Sequence, residues 1–321
     1  MERPITVSVV VASHARHLRL RWLLNALEEQ IFDGDWEVVV VHDYDGATAQ
    51  RVLGAHPLAR SGRLRHLAIE PGTGSPARQR NLGWRAARGT LVAFTDDDCR
   101  PERDWLARLV EAAGSAPGSV VQGATRPDPA EGDIFAAPHV RTIKVEPVGP
   151  CAQTCNILYP RAVLEGLGGF DEVAVTGEDV GLSLRARAAG VVIAPARDAV
   201  VNHAVESHSL PGAVRQNLKW RYLAYLVKRH PEFREQLPLG VFWDADHLLV
   251  SAAVVGLAGA RWRRPLAVLA APYALHAGRR RGVRPRALAV AVAELPGQFV
   301  RQLAEVVGLG AGSLRHRTIL L

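Results

Sequence analysis

Three consecutive acids, Asp96, Asp97 and Asp98, close the apolar run 90–95 (TLVAFT). Carboxylate oxygens are preferred ligands of hard divalent cations. A cation bridging two phosphates would stabilise the charge that a nucleoside diphosphate carries as it leaves. Alternate residues of an extended chain point the same way, so Asp96 and Asp98 are expected to share a face and Asp97 to point elsewhere. Taken alone the D-x-D pattern is weak, because solvated acids at a strand end, capping a helix at Pro101, read the same way. Its surroundings add to it. Asp43 closes a second apolar run, 36–41 (WEVVVV), where a carboxylate can accept hydrogen bonds from a nucleobase or ribose; the plain alternative is a turn aspartate. Arg78, Arg80 and Asn81 open a helical pattern after the glycine-rich loop 71–76. A helix N-terminus bearing arginines suits a phosphate or ribose. No G-x-G-x-x-G follows the first strand, which counts against a dinucleotide cofactor.

These residues need a scaffold, and the chain supplies its pattern. Residues 5–12 (ITVSVVVA) form a β-branched run with little alternation, as in a parallel strand covered on both faces. Leu18, Trp22, Leu23, Ala26 and Leu27 then recur at helical spacing. Strands follow at 36–41, 64–69 and 90–95, with a helix over 77–88 before the last. This alternation predicts an α/β fold with a mostly parallel, Rossmann-like sheet flanked by helices. Ligands of such sheets bind beyond the carboxyl ends of the strands, where the polar clusters stand. After residue 120 the pattern loosens. Residues 123–150 read as a long loop on the acceptor side, 166–172 as a turn, and 178–190 as a helix opened by Glu178 and Asp179. Short strands at 191–193 and 199–201 precede His203. From Leu210 the chain turns helical and basic, which places a boundary near 210, with a catalytic domain over 1–210 and a C-terminal region over 211–321.

Composition narrows the partners. At 48% hydrophobic and 22% charged residues the chain is ordinary globular material. The net charge of +7 is uneven: residues 261–286 hold eight arginines and no acid. Such a segment favours anionic lipid, nucleic acid or phosphorylated substrates. No aromatic interleaving or zinc-finger cysteine pattern accompanies it, so no nucleic-acid partner is expected. Three cysteines, Cys99, Cys151 and Cys155, argue against a disulfide framework and for a reducing compartment. Met1-Glu2-Arg3-Pro4 leads straight into a strand, without a secretory signal. Residues 248–260 and 265–278 are uncharged stretches of 13 and 14, short of the roughly 20 needed to span a bilayer. The expectation is a cytoplasmic protein, peripheral at the inner face of the cell membrane, with the hairpin 248–278 touching an anionic surface. Beyond it, Leu288, Val292, Leu295, Phe299, Leu303 and Val306 predict one packed helix face, kinked at Pro296.

In order along residues 4–205, the segments VSVVVASHAR, WEVVVVHDYDG, GSPARQRNLGWRAARG, TLVAFTDDDCRP and GEDVGLSLRARAAG resemble a family 2 glycosyltransferase of GT-A fold. The resemblance implies inverting transfer of a sugar from a nucleotide-sugar donor to a hydroxyl acceptor (glycan, lipid or small molecule), assisted by Mg²⁺ or Mn²⁺. It implies Asp43 at the nucleobase, Arg80 and Asn81 by the donor, Asp96 at ribose or metal, and Asp98 as metal ligand. It also implies Asp179 as general base, supported by Glu178, and His203 as a further metal ligand or phosphate contact. Direct displacement does need a base on the face opposite the leaving group; helix capping by the same acids is compatible with that role. Asp45 competes with Asp43, Asn202 and His208 lie near His203, and Arg16 has no assigned task. The rivals are a nucleotidyltransferase, which would want a glycine-rich lysine motif where Ser13-His14-Ala15-Arg16 stands, and a non-catalytic, membrane-associated nucleotide-binding scaffold.

Overall fold

The computed structural model describes residues 5–279 and 285–321. Of the arginine-rich segment, Arg280, Arg281 and Arg284 fall outside the described residues, and the side chains of Arg286 and Leu288 are likewise outside the description. The chain divides into two compact units, Met1–Asp133 with Thr142–Val205, and Ile134–Arg141 with Glu206–Leu321.

The first unit is built on strands β1 (Val7–Ser13), β2 (Trp36–His42), β3 (Leu64–Ala68), β4 (Leu91–Asp96), β5 (Cys99–Pro101) and β6 (Val120–Pro127). The short strand β7 (Val140–Arg141) belongs to the second unit, and β8 (Ile157–Pro160) and β9 (Ile193–His203) complete the first. The sheet order is β3-β2-β1-β4-β8-β6-β9-β5. β3, β2, β1 and β4 run parallel, as do β6 and β9, while β8 and β5 are antiparallel to their neighbours. Val7, Val9, Val10 and Val11 are fully buried, because both faces of β1 are covered. Val9 and Val11 join Leu20, Leu23, Leu24 and Leu27 of the helix His17–Glu28. Val10 joins Ala77 and Trp84 of the helix Pro76–Ala86 on the other side. A strand sandwiched this way has no reason to alternate.

Three local expectations are corrected. Pro101 opens no helix: the chain turns at Asp97–Asp98, pairs as β5 with β9, and becomes helical at Trp105–Ser115. There Trp105 is fully buried and donates from Nε1 to Asn156 Oδ1 at 2.8 Å. The region after 123 is not all loop, since β6 continues to Pro127 and Thr125 bridges Val145. The two short strands before His203 are one, interrupted by a register jump between Ala196 and Val200. Arg197 and Asp198 bulge outward there, which is why the apolar pattern appeared broken.

In the second unit β7 pairs with β10 (Glu206–Ser207). The unit's helices include Leu210–Asn217, Leu223–Arg229, Ala245–Gly259, Ala271–Arg279 and Pro285–His316. Leu295, Phe299, Leu303 and Val306 pack on Val250, Ala253, Tyr273 and Ala277. Val292 does not join them: the buried line continues through Ala291, four residues before Leu295, and leaves Val292 exposed. Pro296 lies inside the last helix without ending it.

Candidate active site

The ends of β1, β2 and β4 present Ser13, His42-Asp43 and Asp96 along one edge of the sheet, in the register of the parallel pairs. Two helix starts bring further groups. Ser75 caps the first by accepting from Arg78 N at 3.2 Å, with Pro76 in the first turn, and one turn in stands Arg80. The second begins after Gly177, whose φ of +78° is a left-handed conformation natural to glycine, and opens with Glu178 and Asp179.

Arg80 is buried and forked. Its Nη2 donates to Asp96 Oδ1 at 2.7 Å and its Nη1 to Glu178 Oε1. Burial works against its charge, but Asp96, Glu178 and Asp179 outweigh that and hold it protonated. Asp179 beside it accepts from Val180 N at 2.8 Å and Thr154 N at 3.4 Å. Burial, then the Glu178 charge, push the Asp179 carboxyl up to about 7, against the pull of Arg80. A carboxylate so tuned accepts a proton near neutral pH.

The acidic triplet does not alternate, because Asp97 and Asp98 form a turn rather than extended chain. Asp96 goes to Arg80, while Asp97 and Asp98 both bind Arg16. Asp97 is not idle, since it accepts from Ser13 Oγ at 2.6 Å. Burial raises its carboxyl to about 6, opposed by Ser13 and Arg16. Asp98 meets His203 instead, with Oδ1 at 3.6 Å from Nε2. The antiparallel pairing of β5 with β9 sets Cys99 opposite His203, and Asp98, Cys99 and His203 each bring one ligand atom within 4.8 Å of the others.

That donor set fits a divalent cation. His203 Nδ1 donates to Ala204 O at 2.8 Å, which fixes the ring with Nε2 facing Asp98. A carboxylate with an imidazole suits a cation such as Mn²⁺. Burial, reinforced by Asp96, holds the Cys99 thiol far above its usual range, and a neutral thiol is a poor ligand.

Asp43 accepts from His14 Nδ1 at 2.6 Å. Asp45 is committed elsewhere, capping the helix Gly46–Ala49 by accepting from Thr48 N and Thr48 Oγ1, both at 2.8 Å. Tyr44 stacks on His42 with ring centroids 4.9 Å apart. Burial, with His66 adjoining, pulls the His42 imidazole down to about 4. This end of the edge thus sets the Asp43 carboxylate beside an aromatic stack.

Asn81, expected by the donor, is buried and pins the local structure. It is 1% exposed. Its Nδ2 donates to Phe170 O and Glu172 Oε1 at 2.9 and 2.8 Å, while its Oδ1 accepts from Trp84 Nε1 and Phe170 N, both at 2.9 Å. Gly169, at φ +77°, lies so close to Asn81 Oδ1 that a side chain there would collide with it. Sequence spacing missed Ser13, left Arg16 without a task and pointed Asp97 elsewhere; the signal for Arg16 was its place just past the first strand.

Residues 8–164 match the family model described as Glycosyl transferase family 2. The chain carries a family 2 glycosyltransferase domain. Sequence relatives of this domain include Glycosyltransferase AglE of Haloferax volcanii, 25% identical over 202 residues, 61% of this chain and 66% of that protein. Pre-mycofactocin glycosyltransferase of Mycobacterium tuberculosis is 27% identical over 243 residues, 72% of this chain and 49% of that protein. The aligned stretches thus span about half of one of those relatives and about two thirds of the other. Among solved structures, the mannosyltransferase PcManGT from Pyrobaculum calidifontis, in complex with GDP-Man and Mn²⁺, superimposes with a TM-score of 0.57 at 22% identity, covering 99% of this chain and 88% of that one. S. aureus TarS 1–349 in complex with UDP gives 0.52 at 16% identity, covering 98% and 92%. The glycosyltransferase domain has the GT-A fold, its eight-stranded, mostly parallel sheet flanked by helices.

Proposed function

We propose that this chain transfers a sugar from a nucleotide-sugar donor to a hydroxyl acceptor, with inversion, and that Asp179 is its general base. The observation that carries the reading is the place of the Asp179 carboxyl, which accepts from Val180 N at 2.8 Å beside the Asp96–Arg80–Glu178 cluster at the strand-end edge of a GT-A sheet, where burial and the Glu178 charge raise its proton affinity. In this scheme Asp179 takes the proton of the acceptor hydroxyl as its oxygen attacks the anomeric carbon. The bond from that carbon to the diphosphate breaks on the opposite side, so one displacement inverts the centre. Asp43 and the Tyr44–His42 stack lie where the nucleobase of the donor would sit, and Asp96 where its ribose would. Asp98 and His203 would hold a divalent cation, Mn²⁺ before Mg²⁺ because of the imidazole, and that cation supplies charge neutralisation to the departing diphosphate. The solved relatives bound to GDP-Man, UDP and UDP-GlcNAc support a nucleotide-linked donor.

The test is donor binding and hydrolysis across a panel of nucleotide-sugars, with and without Mn²⁺. Metal-stimulated turnover of one or more donors is expected. Binding without turnover under any acceptor would favour the non-catalytic scaffold, and no binding at all would remove the reading.

A further inference from the structure

The helix Ala245–Gly259 has no charged residue after His247. A helix apolar around its circumference belongs in a core or against lipid. Yet only one side of it is covered: Val250 and Ala253 pack inward with Tyr273 and Ala277, while Val255 is 64% exposed. The chain then turns through Arg261-Trp262-Arg263-Arg264, all exposed, with Trp262 74% exposed. The turn Arg264–Ala270 folds back flat on the helix. Gly256 permits this, since a Cβ there would lie 2.7 Å from both Leu266 O and Leu269 Cβ. Val268 on that turn is 68% exposed, and Leu275 on the next helix is exposed as well. Polarity is sorted along the hairpin's length. At one end Asp246 accepts from Gln302 Nε2 at 2.6 Å and meets His276 Nε2 at 3.0 Å, and Tyr273 Oη donates to Gln302 Oε1 at 2.8 Å. At the other end stand exposed apolar side chains and arginines, with no acid anywhere from 247 to 279.

We propose that the hairpin 245–279 seats on an anionic lipid bilayer, with Trp262 and Val268 in the headgroup–acyl boundary and Arg261, Arg263 and Arg264 on lipid phosphates. Insertion is interfacial rather than spanning. The 15-residue helix is about 22 Å long at 1.5 Å per residue, short of the roughly 30 Å hydrocarbon layer. Among the described residues no helix is long and apolar enough to cross a membrane. Charge decides between lipid and a second copy of the chain. A two-fold contact sets the same patch against itself, which here would face arginine with arginine and offer no acid. An anionic headgroup layer supplies the missing charge, and a tryptophan at a chain reversal suits the interface. Nothing in this depends on which donor or acceptor the first unit uses.

Flotation of the full chain with phosphatidylcholine vesicles, with and without phosphatidylglycerol, tests it. The chain should float with phosphatidylglycerol vesicles and remain behind with phosphatidylcholine alone. W262E/V268E should abolish flotation, and R261E/R263E/R264E should weaken it by about tenfold or more. Both variants alter exposed side chains, so unchanged thermal midpoints will verify folding. Equal flotation of wild type and W262E/V268E, or no flotation of wild type with either lipid, overturns the proposal. So does a concentration-dependent dimer in sedimentation that W262E/V268E abolishes, because the face would then be a self-contact.

Discussion

The two units spend their charge in opposite ways. In the first, arginines and acids are sunk into one another: Arg80 is 7% exposed between Asp96 and Glu178. In the second, Arg261, Arg263 and Arg264 stand in water on an apolar turn. Buried charges interact strongly but tolerate no missing partner, so they fix geometry and tune proton affinity. Exposed charges hold no geometry, yet they attract an oppositely charged surface across a Debye length. One unit concentrates its charge at buried points, the other sets it out on an exposed surface.

The sharpest way to break that contrast is at Asp179. Asp179→Asn should lower transfer by roughly 10²–10⁴-fold while donor affinity by calorimetry stays the same; a matching loss of donor affinity would refute the base role. The wild-type rate should rise with pH through about 7, since the base works deprotonated. The sign of the stability effect is the reverse. A carboxyl raised from its ordinary 3.8 to about 7 binds its proton more tightly folded than unfolded, so its contribution is present below pH 4 and is lost as pH climbs through 7. Asp179→Asn should therefore raise the thermal midpoint at pH 8 more than at pH 4.

Next in size is Arg80→Met, which strands the buried Glu178 and the half-buried Asp96 and should cost about 3–5 kcal/mol in denaturant unfolding. Because Arg80 holds the Asp179 proton affinity down, the rising limb of the pH–rate curve should also move to higher pH in any folded Arg80 variant. His203→Ala should weaken Mn²⁺ binding by about tenfold or more, read by paramagnetic resonance. Asn81→Ala should cost about 1–3 kcal/mol by leaving Phe170 N and Trp84 Nε1 without their acceptor, and leave donor affinity as it was. A donor defect in that variant would return Asn81 to the site.

How far the sequence reaches follows the same division. The four parallel strands were legible because β-branched runs covered on both faces look like little else, and Asp43, Asp96, Asp98, Arg80 and Asp179 stand at the places those runs and helix starts imply. The direction of a side chain at a turn was not legible. Strand alternation was extended two residues too far, across the turn at Asp97 and Asp98. Asn81 lies one residue from Arg80 yet points inward, a difference made by the distant Phe170 backbone and Gly169. β9 read as two pieces because its charged bulge interrupts the apolar signal. In the second unit the apolar hairpin was visible as composition, while its sorting into polar and apolar ends needed Gly256 and the contacts of Gln302.

The fork of Arg80 has a consequence for how this protein can drift. It ties the end of β4 to the start of the Glu178 helix through two acids at once, so three positions far apart in sequence behave as a single heritable unit. Losing either acid leaves the guanidinium half-served, and losing the guanidinium leaves the buried Glu178 and the half-buried Asp96 without their counter-charge. Neutral change at Arg80, Asp96 or Glu178 must therefore arrive in compensated pairs, and the three should vary together across lineages or not at all.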